Sequence, residues 1–538
     1  MGTASAERRK QLALTSVTGL ALVGLILALV NIFSIWVFGR LDLTASRAYS
    51  LSSSSKKLVR SLDDLVVVKA YFTPDLPPPY NVYARYVKDM LAEYRSASHG
   101  RIRYEFVSPL PSQSFEQKAM EAGMSPIQFE EIGSSQFQVR RGFMGLVMFY
   151  HDRSEVLPVV KSVEGVEYDL TSRLAKLARR QKKVIAVTAG DDEQAWRTPQ
   201  SKLYQELSEL YEFREISLSS PTIPTFEADA LLIAGPQKKM NDKALWAIDQ
   251  AVMRGIPTAF LLDPAGEFII GRFLMLPRAS GVEEILKAYG IRLGEQLVYD
   301  AQCETVGMTQ NVGGLVMTTG VRYAYLPLVN HFGADHPILK GLETVGIPFS
   351  VRLDPMSPLP NGVRFTPLFL SSPQSWLAPE KTYNVNPSAI PKPGAIDPQG
   401  PFVLGAILEG SFPSYFQGKS VPVKGQTLIP ASPKTTLFVL GTSHIIDPSF
   451  PVMSGTEALM SNVLAYLTKD EVLLGIHSKG EVLRPLKPVS GAAQNAVKFG
   501  SVLGVPLLAI GWGLWRWRRR EHWRLSLRAA FVPRPAKQ

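Results

Sequence analysis

Cysteine is almost absent from this 538-residue chain, with Cys303 the only one. A lone thiol excludes an intramolecular disulfide framework and any metal site built on several thiolates, and it leaves the redox compartment open. Histidine is scarce too. The seven (His99, His151, His331, His336, His444, His477 and His522) include no H-x-x-x-H or H-E-x-x-H pair, the spacings that set two imidazoles on one helix face. His331 and His336, five apart in HFGADHP, fit either a loop site or a solvated loop. A complete phosphate-binding loop is also missing. Gly418-Lys419-Ser420 ends like one, but Pro413 stands where its first glycine belongs. Such loops hold phosphate through backbone N–H groups, and proline has none. The nucleophile-elbow pattern G-x-S-x-G fails at 441–445, GTSHI, which lacks the second glycine. No catalytic residue, metal or cofactor is assigned, and the chain is expected not to be an enzyme.

Charge is unevenly placed. The chain carries 58 Lys and Arg against 47 Asp and Glu, a net +11. Residues 1–10 hold +2 and residues 516–538 hold +7, so the long middle holds only +2. A nucleic-acid binder concentrates positive charge on a folded surface, so that class is set aside.

Two uncharged apolar runs lie beside those basic ends. Residues 11–39 include LALVGLILALVNIFSIWVF, preceded by Arg8-Arg9-Lys10. The run is longer than the roughly 7–15 residues of a signal peptide's apolar region and long enough to span a bilayer. Residues 499–515, FGSVLGVPLLAIGWGLW, are followed at once by RWRRR. Pro506 is tolerable in a membrane helix, and Trp512, Trp515 and Trp517 form an interfacial belt. The positive-inside rule then puts both termini in the cytoplasm. The expected order is a cytoplasmic start (1–10), a transmembrane helix (11–39), an extracytoplasmic body, a stalk (479–496), a second transmembrane helix (497–515) and a basic cytoplasmic tail (516–538) of a bacterial inner-membrane protein.

The body reads as α/β. Residues 40–181 predict the order βαβαββα: strands at 65–72 and 102–107, a helix over 80–96, a short helix at 114–124, a hairpin over 136–160 and an amphipathic helix over 167–180. That order is thioredoxin-like, and the absence of C-x-x-C removes any redox role. Ser52 to Ser55 are placed to cap the helix that follows a polar stalk. From 182 to 478, strands at 182–189, 229–235, 256–264 and 435–448 alternate with helices at 201–213, 242–254, 282–290 and 456–468. This predicts a doubly wound parallel sheet. Residues 355–433 hold 15 of the 40 prolines, so the stretch from about 296 to 433 is expected to be a Pro-rich insertion of strands and loops. Residues 471–488 read as a hairpin and exit stalk.

Ligands of doubly wound sheets sit beyond the strand carboxyl ends. The loops after 189, 235 and 263 would line that crevice. Asp191, Asp192 and Glu193 could hold a cation or an amine there, or serve as ordinary acidic residues at a helix start. Asp263 ends a strand in LLDP, where functional groups of such sheets gather, with no partner evident.

The run LDLTASRAYSLSSSSKKLVRSLDDLVVVKAYFTPDLPP, with GVEYDLTSRLAKLARRQKKVIAVTAGDDE, DALLIAGPQKKMNDKALWAIDQAVMRGIPTAFLLDP and GIRLGEQLVYD, resembles the ABC-transporter auxiliary family that includes the gliding-motility component GldG. The resemblance spans about residues 10–300 and continues more faintly to TLFVLGTSHIID. It implies a non-catalytic, membrane-anchored subunit working with an ABC permease and a separate ATPase, its body docking an extracytoplasmic protein or envelope ligand. It carries over no catalytic residue. The alternatives are a substrate-binding protein using the 190/235/263 crevice, and an envelope-processing hydrolase.

Overall fold

The structure is a computed structural model. It describes residues 19, 22–26, 50–474 and 491–531, apart from short gaps at 75, 79, 108–116, 118, 133–136, 161, 164, 179–181, 190–200, 218–226, 237, 265–267, 270–272, 313–314, 379–382, 388–396 and 449–452. The chain divides into two compact units, residues 1–480 and 481–538.

In the first unit residues 19 and 22–26 are helical, and α1 (Ser53–Arg60) follows, its N-cap Ser52 accepting from the Ser55 amide, as the serine run predicts. Strand β1 (Val66–Phe72) leads to α2 (Tyr80–Ala97), which buries Tyr86, Val87, Met90, Leu91 and Tyr94, a 3–4-residue spacing that makes one apolar stripe. Then follow β2 (Ile102–Val107), a separate hairpin of β3 (Ile127–Ile132) and β4 (Phe137–Gly142), β5 (Met144–Tyr150), β6 (Arg153–Leu157) and α3 (Val166–Ala178). The four-stranded sheet runs β2-β1-β5-β6; β1 is parallel to β2 and antiparallel to β5. The expected single strand over 136–150 is in fact two, because β4 pairs with β3 while β5 pairs with β1. Of the short helix expected at 114–124, residues 117 and 119–121 are helical, and 114–116 and 118 lie outside the described residues.

Under this sheet is a buried polar knot. The Glu167 carboxylate accepts from the Ser52 amide at 2.6 Å and from the Ser55 hydroxyl at 2.7 Å. Tyr94 and Ser55 both reach the Thr171 hydroxyl. The knot ties the cap of α1 to α3. Desolvation, then the neighbouring Glu167 charge, push the Tyr94 phenol far up, so it stays a neutral donor.

The larger sheet is built from β7 (Lys183–Ala189), α4 (Lys202–Leu210), β8 (Tyr211–Ser217), β9 (Ala230–Ala234), α5 (Asp242–Met253), β10 (Thr258–Leu261) and α6 (Val282–Tyr289). After these come β11 (Ile291–Asp300), the long hairpin β12 (Cys303–Val312) and β13 (Leu315–Val329), β14 (His331–Phe332), β15 (Val351–Pro355), β16 (Arg364–Leu370), β17 (Ser375–Leu377), β18 (Val403–Gly410), β19 (Thr435–Leu440) and α7 (Thr456–Leu467). Eight strands pair in the order β14-β16-β18-β19-β10-β9-β7-β8. Successive side chains point to opposite faces. Leu231, Ile233, Phe260 and Val439 therefore pack with α5 and α6. Leu232, Ala259, Leu261 and Phe438 pack with α4 and α7 on the other side. With both faces covered, the central strands are unbroken apolar runs such as ALLIA.

Three expectations need correction. The sheet is mixed: β19, β10, β9, β7 and β8 are parallel, whereas β18, β16 and β14 are antiparallel. And the Pro-rich stretch is no appendage, because it supplies those three antiparallel strands. Pro367 sits inside β16 where the register shifts against β18, the kind of irregularity that accommodates a residue with no N–H. Another part of the stretch is anchored by Asp249 on α5. Its carboxylate accepts from the Tyr289 hydroxyl (2.9 Å), the Ser414 hydroxyl (2.6 Å), the Tyr415 amide (2.8 Å) and the Gln250 side chain (2.9 Å). Lys419 of the GKS sequence lies over the Tyr415 ring, 3.1 Å from its centre. Residues 471–474, expected as strand, form the short helix α8 (Glu471–Leu474).

In the second unit, α9 (Gly491–Phe531) is one 41-residue helix that continues through Pro506 and through the arginine cluster. Leu507, Leu508, Ile510, Trp512, Leu514 and Trp515 are exposed on it. Among the described residues no helix is long and apolar enough to cross a membrane. Most of the 11–39 run, and several side chains of 491–505, lie outside those described.

Candidate functional site

The parallel seam between β10 and β19 brings two carboxyl ends together, Leu261 opposite Leu440. Asp263 lies two residues beyond β10. Beyond β19 the chain runs Gly441-Thr442-Ser443 into a 3₁₀ turn, His444–Ile446. Gly441 fits against the backbone of β15, and a Cβ there would stand 2.3 Å from the Val351 carbonyl oxygen. That close approach fixes where the turn starts. The Thr442 hydroxyl then accepts from the His444 amide at 3.1 Å.

His444 is thereby inserted between two acids. Its Nε2 is 2.6 Å from Asp263 Oδ2, and its Nδ1 is 3.5 Å from Asp447 Oδ2. The His444 and Asp263 side chains are only 3% and 4% exposed. Phe349 covers the imidazole edge-on, ring centres 5.5 Å apart. Burial alone would drive the imidazole toward neutrality. The adjacent Asp263 and Asp447 charges outweigh it and lift the pKa to about 9, so the ring is an imidazolium at neutral pH.

This arrangement is suited to holding strand ends together and poorly suited to proton abstraction, because both ring nitrogens face carboxylates. The neighbouring Ser443 hydroxyl is buried and has no hydrogen-bond partner among the described residues, so no serine–histidine pair forms. Among the described residues no group of His, Cys, Asp and Glu is placed to hold a metal ion.

Of the residues singled out in the sequence, Asp263 is at the expected strand end. Asp191, Asp192 and Glu193 lie outside the described residues. His444 and Asp447 escaped the sequence reading. Their one signal is a His and an Asp three apart directly after a buried apolar strand. His336 is a capping residue: its Nδ1 accepts from the Ile338 amide at 3.3 Å and its ring packs on Tyr466. Burial lowers its pKa, so it is a neutral acceptor.

A second feature is a cavity of about 340 Å³ where α3, α4 and α7 meet. The Tyr168 hydroxyl and the Ser461 hydroxyl, 3.3 Å apart, link α3 to α7 beside it. Lys202 pairs with Glu457 and, at 3.6 Å, with Glu206.

The model of the family described as an ABC-type uncharacterized transport system matches residues 182–469, more than half of the chain. The chain belongs to that family. The match begins at β7 and ends just past α7, so it covers the eight-stranded sheet and the Asp263–His444 pair. A second model, of a domain of unknown function, matches residues 45–149. A protein of Borreliella burgdorferi, described as uncharacterized, is 24% identical over 508 residues, 91% of this chain and 94% of that protein. Solved structures are only distantly similar. The mmIFT52 N-terminal domain is 14% identical with a TM-score of 0.32, covering 53% of this chain and 97% of that one. A putative ThuA-like protein from Parabacteroides merdae is 11% identical with a TM-score of 0.27, covering 54% and 91%. Membership makes this chain an auxiliary component of ABC-type transport and implies association with other transporter components.

Proposed function

We propose that the chain is a GldG-like, non-catalytic, membrane-anchored auxiliary subunit of an ABC transporter complex. The family match over residues 182–469 carries this reading. The apolar runs 11–39 and 499–515 anchor it in the bacterial inner membrane, with basic cytoplasmic ends and an extracytoplasmic body. Exposed leucines and tryptophans along α9 support burial of that helix in lipid or against other membrane helices. With no complete phosphate loop of its own, the subunit depends on a separate ATPase. Two tethers hold the body at the membrane surface, which raises its effective concentration near a permease. The body would dock an extracytoplasmic protein or envelope ligand there.

The buried state of Asp263 and His444 argues against the crevice beside them as an open substrate site or a hydrolytic centre. Purification from native membranes in mild detergent tests the proposal. An ABC permease and an ATPase should be retained with the chain, and recovery without either would refute it.

A further inference from the structure

The cavity between α3, α4 and α7 is lined by the first residues of α7. Helix α7 starts after Gly455, which is left-handed (φ 72°) and gives the helix no side-chain cap. A Cβ at 455 would meet the Thr344 carbonyl oxygen at 2.3 Å, so a capping serine or aspartate cannot stand there. In the first turn the Thr456 amide donates to Met453 and the Leu459 amide to Gly455. The intervening amides of Glu457 and Ala458 have no acceptor among the described residues, and both residues line the cavity. Unpaired amides at a helix start concentrate positive potential.

A second observation is independent of the helix end. Thr456 also lines the cavity, is only 1% exposed, and its hydroxyl has no hydrogen-bond partner among the described residues. A buried polar group left in that state is destabilising unless something satisfies it. Lys340 contributes a cation to the lining, and its backbone is fixed by Asn462, which donates to its carbonyl at 3.1 Å. Two acids, Glu206 and Glu457, also line the space, and both are paired to Lys202. They make a dianion unwelcome while leaving room for a single negative charge.

We infer that this cavity binds a small carboxylate, either a free acid or a peptide C-terminus, on the α7 amides and the Thr456 hydroxyl with Lys340 as counter-ion. An occupant there also touches Tyr168 of α3, and so bridges the N-terminal sheet and the larger one. The inference does not depend on the transporter reading.

Titration calorimetry on the full-length protein in mild detergent tests it, using acetate, alanyl-alanine, alanyl-alanine amide and inorganic phosphate as probes. Saturable binding of acetate or of the dipeptide acid is expected, with the amide silent; acetate alone points to a free acid, and the dipeptide alone to a peptide end. Thr456→Val and Lys340→Met should each weaken binding about tenfold, and Lys419→Met, outside the cavity, should not. Lys340 is exposed, so its variant remains informative if Thr456→Val fails to fold. No saturable binding of either acid, equal binding of the amide, tighter binding of phosphate, or unchanged affinity in Lys340→Met would each overturn the inference.

Discussion

His444 Nε2 lies 2.6 Å from Asp263 Oδ2 across the seam between β10 and β19. The two residues come from segments far apart in the family domain, and their contact lies at the carboxyl ends of the two central strands. Removing either partner strands a buried charge, which is why the pair governs several expected behaviours.

The first is pH dependence. The His444 pKa rises from an ordinary 6.5 to about 9 on folding, so the folded state holds the proton more tightly than the unfolded chain. This contribution is complete below pH 6.5, shrinks as pH rises, and is gone once pH passes about 9. Thermal melting should therefore shift downward between those values. In His444→Gln the melting point should be lower at neutral pH and nearly flat across the same interval. A wild-type melting point that stays level there would contradict the imidazolium assignment.

The seam also depends on a glycine. Gly441→Ala forces a methyl group against the Val351 carbonyl and the Ser350 hydroxyl, 2.3 and 2.9 Å from the new carbon. Backbone cannot yield as a side-chain tip can, so about 1–3 kcal/mol of stability should be lost. The displaced turn should also blunt the pH dependence of melting, and urea unfolding at two pH values measures both effects.

Asp249 should be costly to replace. Asp249→Ala leaves the Tyr289 and Ser414 hydroxyls and the Tyr415 amide without their shared acceptor in the core. A loss of roughly 3 kcal/mol or more is expected in equilibrium unfolding. Asp249→Asn keeps one acceptor oxygen and should be milder. Equal stability of wild type and the alanine variant would show that the segment around 411–433 is not anchored this way.

Membrane orientation is tested by labelling. In a Cys303→Ser background, Lys239→Cys places a thiol on the exposed surface of the body. An impermeant maleimide should label it in cells whose outer membrane alone has been permeabilised. Labelling only after the inner membrane is breached would place the body in the cytoplasm.

Much of the secondary structure was legible because its causes are local. The stripe in α2, the Ser52 cap and the buried run ALLIA need only neighbours along the chain. The split between β4 and β5 was not legible, since strand pairing decides it. Nor was the role of the prolines between 355 and 433. Their density excluded helix, but only pairing with β19 shows that β18 and β16 extend the main sheet. For the site, LLDP advertised Asp263, whereas TSHIIDP reads as part of a strand over 435–448 that in the structure ends at Leu440 and turns at His444–Ile446.

The sequence by itself determined the apolar ends, the basic flanks, the missing phosphate loop and the alternation of strands and helices, because composition and periodicity act over a few residues. Tertiary structure alone decided that Asp263 meets His444, that Asp249 holds Ser414, and that an uncapped helix faces a cavity. Such contacts join segments far apart in the chain, and their energy depends on desolvation and distance, which exist only once the sheet has closed.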